Sequence, residues 1–405
     1  MYFTFAWRYF KAKKSTNAIN IIAWVSVTAI MVGTAALIII LSAFNGFETL
    51  VKSLYSSFYS DLKIRPKAGK TLQLTRSQIE KLQRLPGVRL VSLIAEEKGL
   101  LQNGSLQSVV VIKGVDSFYK IVSGVSSKMV RGKFDLGNKE DPRAVMGIGI
   151  ENAIGILADR SLFPITLYMP KQGVKNFSNP LEALSQGAIT PSGSFAIQQE
   201  FDNKYLFTNL GFVKQYLNYG EDEYSAIELA LVNPEATSKV QQQILSLGIP
   251  NIVAENRFEQ NQSLYSTILL EKWAIYFIFS LILLVASFNM IGALSMLVLE
   301  KQKDIQVLMA MGASNGVIRK IFMLEGLLLA SIGTFAGVLI ALTLYYLQVN
   351  YHLVPLEGES FLIGYYPVEL HLADFLLVIV TVFLIGLLAS WYPAIRASKE
   401  PIQLG

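Results

Sequence analysis

Four long apolar runs divide the chain, and everything else hangs between them. Ala18 to Phe44 is the first. Trp273 to Leu299 is 27 residues without Asp, Glu, Lys or Arg, and Ile321 to Leu347 is another 27 broken only by Glu325. The last extends from about Asp374 to Ala397. A bilayer core is crossed by about 20 apolar helical residues, so each run can span it with some tilt. The first run is too long for a signal-peptide core and continues past Thr34-Ala35-Ala36, so it reads as an uncleaved span. Asn45-Gly46-Phe47-Glu48 is expected to end it.

From there to about Thr267 no stretch is apolar enough to cross a membrane, which predicts one large insertion. Thr75 and Gln78 have capping-box spacing ahead of a helix to Leu85, and Pro86-Gly87 follows. A strand is predicted at 88–94. A hairpin should then pair 99–102 with 106–115 around Asn103-Gly104, a strong turn signal. Pro234 to Gly248 is helical in pattern and Ile249 to Ala254 strand-like. The stretches SQIEKLQRLPGVRLVSL and SKVQQQILSLGIPNIVAE thus form a weak repeat, helix then strand. This predicts a membrane-proximal α/β subdomain from residues 60–120 and 225–265, with a strand-rich lobe, 121–224, inserted in it. Lys171 to Pro191 lacks periodicity and is expected to be a long loop.

The segment joining the second and third spans, Gln302 to Asn315, has its own helical pattern. Ile305, Leu308 and Met309, with Met311 as a further candidate, follow 3–4 spacing and Gly312 is a stop signal. Such a helix can pass a partner's push to the spans, or it can simply rest on the membrane surface. Met1 to Lys14 mixes aromatics with Arg8, Lys11, Lys13 and Lys14, as an interfacial segment does. The expected order is an interfacial segment 1–17, span 18–44, α/β domain 45–267, span 268–299, joining segment 300–320, span 321–347, loop 348–373, span 374–397 and tail 398–405.

Charge sets the orientation. Residues 1–18 carry four Lys/Arg, 300–320 four and 396–405 two, whereas the loop 348–373 carries none. By the positive-inside rule both termini and the 300–320 segment are cytoplasmic and the large domain is outside the cytoplasm. Composition agrees with a membrane protein bearing a soluble part: 405 residues, 52% hydrophobic and 16% charged. The modest net charge of +5 sits beside the spans, which speaks against nucleic acid as a partner. With no cysteine and two histidines, His352 and His371, there is no thiol chemistry and no metal or triad pattern.

No enzyme motif survives, and no catalytic residue is assigned. Gly69-Lys70-Thr71 ends like a phosphate loop, but Ile64 stands where its first glycine belongs. Gly147-Ile148-Gly149 lacks the third glycine at dinucleotide spacing. Glu325 lies about 6 Å into its span at 1.5 Å per residue. There, snorkelling or pairing with Arg319, Lys320 or Lys303 is expected ahead of ion conduction. Gly333 and Gly337 form a small-xxx-small pair suited to close helix packing, although glycine is also common in membrane helices.

Three stretches carry a family resemblance. They are Leu41-Ser42-Ala43-Phe44-Asn45-Gly46-Phe47-Glu48; Lys303-Asp304-Ile305-Gln306-Val307-Leu308-Met309-Ala310-Met311-Gly312-Ala313 with Phe322-Met323-Leu324-Glu325-Gly326; and Tyr392-Pro393-Ala394-Ile395-Arg396-Ala397-Ser398. The chain resembles the permease subunits of lipoprotein-releasing ABC transporters, the LolC/LolE type of the FtsX/MacB-like superfamily. The resemblance implies four transmembrane helices with a two-lobed, MacB-like α/β periplasmic domain between the first and second. It implies an inner-membrane subunit without its own ATPase site, paired with a second copy or a homologous permease and a cytoplasmic ATPase dimer that holds ATP and Mg. Lipoprotein, membrane lipid and a periplasmic carrier are the other implied partners. Lys303, Asp304, Ile305, Leu308, Met309 and Gly312 would couple to the ATPase. Lys171, Lys175, Phe177 and Leu181 would lie in a carrier-gripping loop, and Asn45, Gly46, Phe47, Glu325, Gly333 and Gly337 would pack the membrane part. Two alternatives stay open: a MacB-like efflux or export permease, and an FtsX-like regulator of a cell-wall hydrolase.

Overall fold

The computed structural model describes residues 17–161, 163–171, 184–356 and 364–399, with side chains from Ile21 onward. The expected N-terminal interfacial segment lies outside them, as do Lys175, Phe177 and Leu181 of the proposed carrier loop. The helices of eight or more residues are α1 (Asn17–Phe58), α2 (Arg76–Gln83), α3 (Leu210–Leu217), α4 (Thr237–Ser246), α5 (Gln262–Glu300), α6 (Gln302–Ala310), α7 (Asn315–Tyr351) and α8 (Leu372–Ser398). The strands are β1 (Leu62–Pro66), β2 (Leu72–Gln73), β3 (Val88–Asn103), β4 (Leu106–Val115), β5 (Met129–Gly132), β6 (Arg143–Gly147), β7 (Ile165–Pro170), β8 (Leu184–Phe195), β9 (Tyr205–Asn209), β10 (Glu223–Tyr224), β11 (Ala226–Leu231) and β12 (Ile252–Asn256).

Among the described residues four helices, α1, α5, α7 and α8, are long and apolar enough to cross a membrane. A large α/β domain is inserted between the first two. The chain divides into two compact units, and the divisions fall within α1 at Leu50 and near the start of α5 at Ser266.

In the membrane unit the helices outrun their apolar runs. The 42 residues of α1 make about 63 Å of helix, twice the ~30 Å of a hydrocarbon core. Asn45-Gly46-Phe47-Glu48 therefore does not end the first helix. Nothing there removes a backbone donor, and the helix continues to Phe58. Pro393 lies inside α8, which reaches Ser398. Its missing N–H leaves one carbonyl of the preceding turn without a helical partner. The bundle core joins Leu37 and Leu41 of α1, Leu283 and Met290 of α5, Leu329 and Ala330 of α7 and Val382 and Ile385 of α8.

The inserted unit is built on one sheet, in the order β12-β1-β11-β3-β4-β9-β6-β8-β5, with β7 pairing both β3 and β8. The strand expected at 88–94 and the hairpin arm at 99–102 are a single 16-residue strand, β3. One part of it, Val88–Ile94, pairs with β11, and Leu100–Gln102 pairs with β7. The two expected lobes thus share a sheet. The first core gathers Leu62, Leu82, Leu229, Val240 and Ile244 from both ends of the insertion. The second gathers Leu101 and Ile112 of the β3–β4 hairpin with Met146, Leu167, Ile189 and Leu206 of the middle segment.

Local signals explain much of this. Thr75 caps α2 in a capping box with Gln78, worth about 1 kcal/mol. Gly104 takes φ +60° in the β3–β4 turn, where a side chain would be strained. The repeat is visible as α2 leading to β3 and α4 leading to β12. The copies meet where the Gly87 backbone faces Val240, at 3.1 Å from an ideal Cβ. The last strand starts at Ile252 rather than Ile249, because Asn251 takes φ +57° just before it. The stretch expected to be irregular as far as Pro191 is strand from Leu184 onward, paired with β7 from Pro170↔Leu184.

Candidate functional site

Two ends of the membrane unit carry the residues that the sequence singled out. At the first, α6 lies between the end of α5 and the start of α7. Ile305 is fully buried among Leu297 and Val298 of α5, Ile318 and Phe322 of α7 and Ala394 and Ala397 of α8. Leu308 and Met309 pack on the same cluster. The apolar stripe read as a partner-docking face therefore points inward, because three span ends compete for it first. The outward face is Lys303, Asp304, Val307 and Met311, with Val307 59% and Met311 79% exposed. Lys301 pairs with Asp304 at 3.2 Å. Gly312 has φ +93° and nothing near its Cβ direction, so the turn leaves α6 through a conformation that favours glycine. Arg319, on α7 just beyond, sits 5.6 Å over the Trp391 ring of α8.

At the opposite end Asn45, Gly46 and Phe47 all meet one segment, 364–374. Asn45 donates to the Asp374 carboxylate and to the Glu369 carbonyl, and accepts from Lys272 Nζ at 2.7 Å. Lys272 and Asp374 are themselves 3.6 Å apart. One asparagine thus joins α1, α5 and α8. A Cβ on Gly46 would lie 2.4 Å from the Pro367 carbonyl oxygen, so only glycine admits that backbone. Phe47 stacks on Tyr366 with centroids 6.4 Å apart, and Thr49 donates to the Glu369 carboxylate.

Between the ends, Gly333 and Gly337 let α7 lie against α1. Added Cβ atoms would meet Val27 O at 2.9 Å and Met31 O at 2.6 Å. Glu325 is 2% exposed and faces protein, so snorkelling outward is not what this side chain does. Lys171 is exposed just after β7. Among the described residues no group of His, Asp and Glu could hold a metal ion.

The inserted unit holds a charged cluster that the sequence did not announce. Lys113 Nζ lies 2.6 Å from Glu228 and 2.9 Å from the Tyr119 hydroxyl, and all three side chains are buried. Burial, with Glu228 adding to it, pushes the Tyr119 hydroxyl well above its usual range. Burial also works to raise the Glu96 carboxyl, but Lys63 and Lys113 outweigh it and hold that group below the carboxylate range. Each side chain comes from a different strand or helix, so spacing along the chain carries no sign of the cluster.

Comparison with known proteins fits this architecture. Residues 276–402 match the FtsX-like permease C-terminal model, and residues 23–161 the MacB-like periplasmic core domain. The lipoprotein-releasing system transmembrane protein LolE of Haemophilus influenzae is 28% identical over 416 residues, spanning 99% of this chain and 98% of that one. LolC of Neisseria meningitidis is 26% identical, spanning 97% and 95%. The periplasmic region of MacB from Actinobacillus actinomycetemcomitans aligns with 54% of this chain and 98% of its own, at TM-score 0.36 and 14% identity, a likeness that adds nothing to the family matches. The chain is thus similar over nearly its whole length to the LolC and LolE transmembrane proteins, and it carries stretches that match the FtsX-like permease C-terminal and MacB-like periplasmic core models.

Proposed function

We propose that this chain is a permease subunit of an ABC transporter that releases lipoproteins from the inner membrane. Both termini and α6 lie in the cytoplasm, and the inserted domain lies in the periplasm. ATP and Mg are held by a separate ATPase dimer. A second permease, either another copy or a relative, completes the membrane part. The observation that carries this reading is α6. It is a short helix locked by Ile305 to three span ends, with a charged and apolar face turned outward. The near-full-length likeness to LolE and LolC supports lipoproteins as the cargo.

The chain's own part is mechanical. A push on Val307 and Met311 reaches α5, α7 and α8 together through Ile305, since a close-packed cluster transmits displacement rather than absorbing it. The segment between β7 and β8 is the place proposed for carrier contact. Its test must spare β8: residues 172–183 alone are replaced by a Gly/Ser linker, and retained carrier capture in a pull-down places docking elsewhere. The reading as a whole is tested by purifying the tagged full chain from membranes and identifying bound partners by mass spectrometry. An ABC ATPase and triacylated protein are expected. A cell-wall hydrolase with no lipid-linked cargo would favour a regulator instead.

A further inference from the structure

A cavity of about 350 Å³ opens within the membrane unit where α1 nears Asn45. Its walls are Ile38 of α1 and Ala341 and Leu344 of α7, and its roof is the segment that follows α7. That roof is fastened in place. Gln348 donates to the Tyr366 and Val354 carbonyls at 2.9 and 3.2 Å and accepts from the Val354 N–H at 2.9 Å. The Tyr366 N–H returns to the Val354 carbonyl at 3.0 Å. With its amide fully engaged, Gln348 closes the cavity without offering it a polar group.

Of the other polar side chains in the lining, Ser42, Tyr345 and Tyr366, only Ser42 has a buried hydroxyl without a partner among the described residues. Ser42 is 4% exposed and lines the cavity, yet among the described residues its hydroxyl meets no hydrogen-bond partner. Its backbone carbonyl is taken by the Glu369 N–H at 2.9 Å. Ser26, Ser331 and Thr381 in these helices each donate to the carbonyl four residues earlier, whereas Thr34 and Ser280, like Ser42, meet no partner among the described residues but do not line this cavity. A buried hydroxyl without a partner costs about 1–3 kcal/mol. A ligand that fits is long and apolar and ends in an acceptor.

We propose that this cavity holds one fatty acyl chain, with its ester or amide carbonyl accepting the Ser42 hydroxyl proton and its hydrocarbon along Ile38, Ala341 and Leu344. The volume lies in the range of small-molecule sites, and each buried methylene contributes about 0.8 kcal/mol. Phospholipid and acylated protein both present this chemistry. The site rests on membrane insertion and not on lipoprotein release.

The test reconstitutes the full chain in phosphatidylethanolamine/phosphatidylglycerol vesicles containing a trace of phosphatidylethanolamine with a diazirine in one acyl chain. A parallel sample carries a triacylated lipopeptide with the same diazirine chain. After irradiation, adducts mapped by mass spectrometry should concentrate in residues 38–43 and 341–348. Ala341→Trp fills the cavity and should cut them about tenfold, the loss of roughly two methylenes of burial. Leu344→Trp serves if that variant does not fold. Ser42→Ala should cut them about fivefold, one hydrogen bond's worth. Adducts with phospholipid alone identify a resident bilayer lipid, and adducts with lipopeptide a cargo chain; either supports the site, and only the second bears on release. Equal labelling of lipid-facing positions such as Phe277 and Leu281, unchanged by both tryptophan variants, would mean annular lipid only and overturn the proposal.

Discussion

The two ends of the membrane unit are held by opposite kinds of contact. At the α6 end, Ile305, Ile318, Phe322 and Ala394 meet in a cluster without a hydrogen bond among their side chains. At the other end, Asn45, Lys272 and Asp374 join three helices through directed polar contacts. Apolar packing is non-directional, so the cluster can move as one block without a directed bond having to break first. The polar knot has one arrangement, since Lys272 and Asp374 meet each other and Asn45, and Asn45 also holds the Glu369 carbonyl. A stroke delivered at α6 can therefore shift helix ends there, while the far end either holds its register or lets go as a unit.

The strongest blow to this contrast is a charge in the apolar end. Ile305→Asp buries an unpaired carboxylate and should cost more than about 4 kcal/mol, seen as loss of a monodisperse peak in detergent. Next is Lys272→Met, which leaves Asp374 with only Asn45. About 3 kcal/mol should be lost, read as a fall in thermal midpoint. Adding Asp374→Leu should recover more than half of that, because the second change removes the stranded charge. Additive losses would show that the three groups do not act as a knot. Gly46→Ala is milder. Its methyl group meets the Pro367 carbonyl and should cost about 1–3 kcal/mol. Gly292→Ala in α5, with nothing near its Cβ direction, should instead gain up to about 1 kcal/mol of helix propensity.

The same contrast marks what could be read from the chain. The apolar stripe of α6 was legible because Ile305, Leu308 and Met309 recur at helical spacing. Its direction was not, since periodicity gives a face and not its partner. The polar knot was invisible for a different reason: Lys272 and Asp374 lie 227 and 329 residues from Asn45, and each looks like an ordinary flank of an apolar run. Gly46 and Phe47 could be seen as a motif, but their purpose appears only with Pro367 and Tyr366 beside them. In the inserted domain, the capping box at Thr75 and the turn at Gly104 were plain because they are local. The fusion of two lobes by β3 was not, since the charged run Glu96-Glu97-Lys98 between the two expected pieces reads as a break. There the Cβ direction of Gly99 points at the Tyr168 carbonyl, 2.5 Å away, which is how β7 comes to pair with β3.

The smallest expected change in stability carries the largest functional consequence. Val307→Asp with Met311→Asp alters only exposed positions, on α6 and at its C-terminal cap, and should leave the stability within about 0.5 kcal/mol of the parent. The most direct measurement is therefore the amount of ABC ATPase that copurifies with this double variant, set beside the parent and beside Ile305→Val. The account predicts that the double variant remains folded and loses the ATPase, whereas Ile305→Val keeps it. A folded double variant that still binds the ATPase like the parent would contradict the claim that the outward face of α6 receives the stroke.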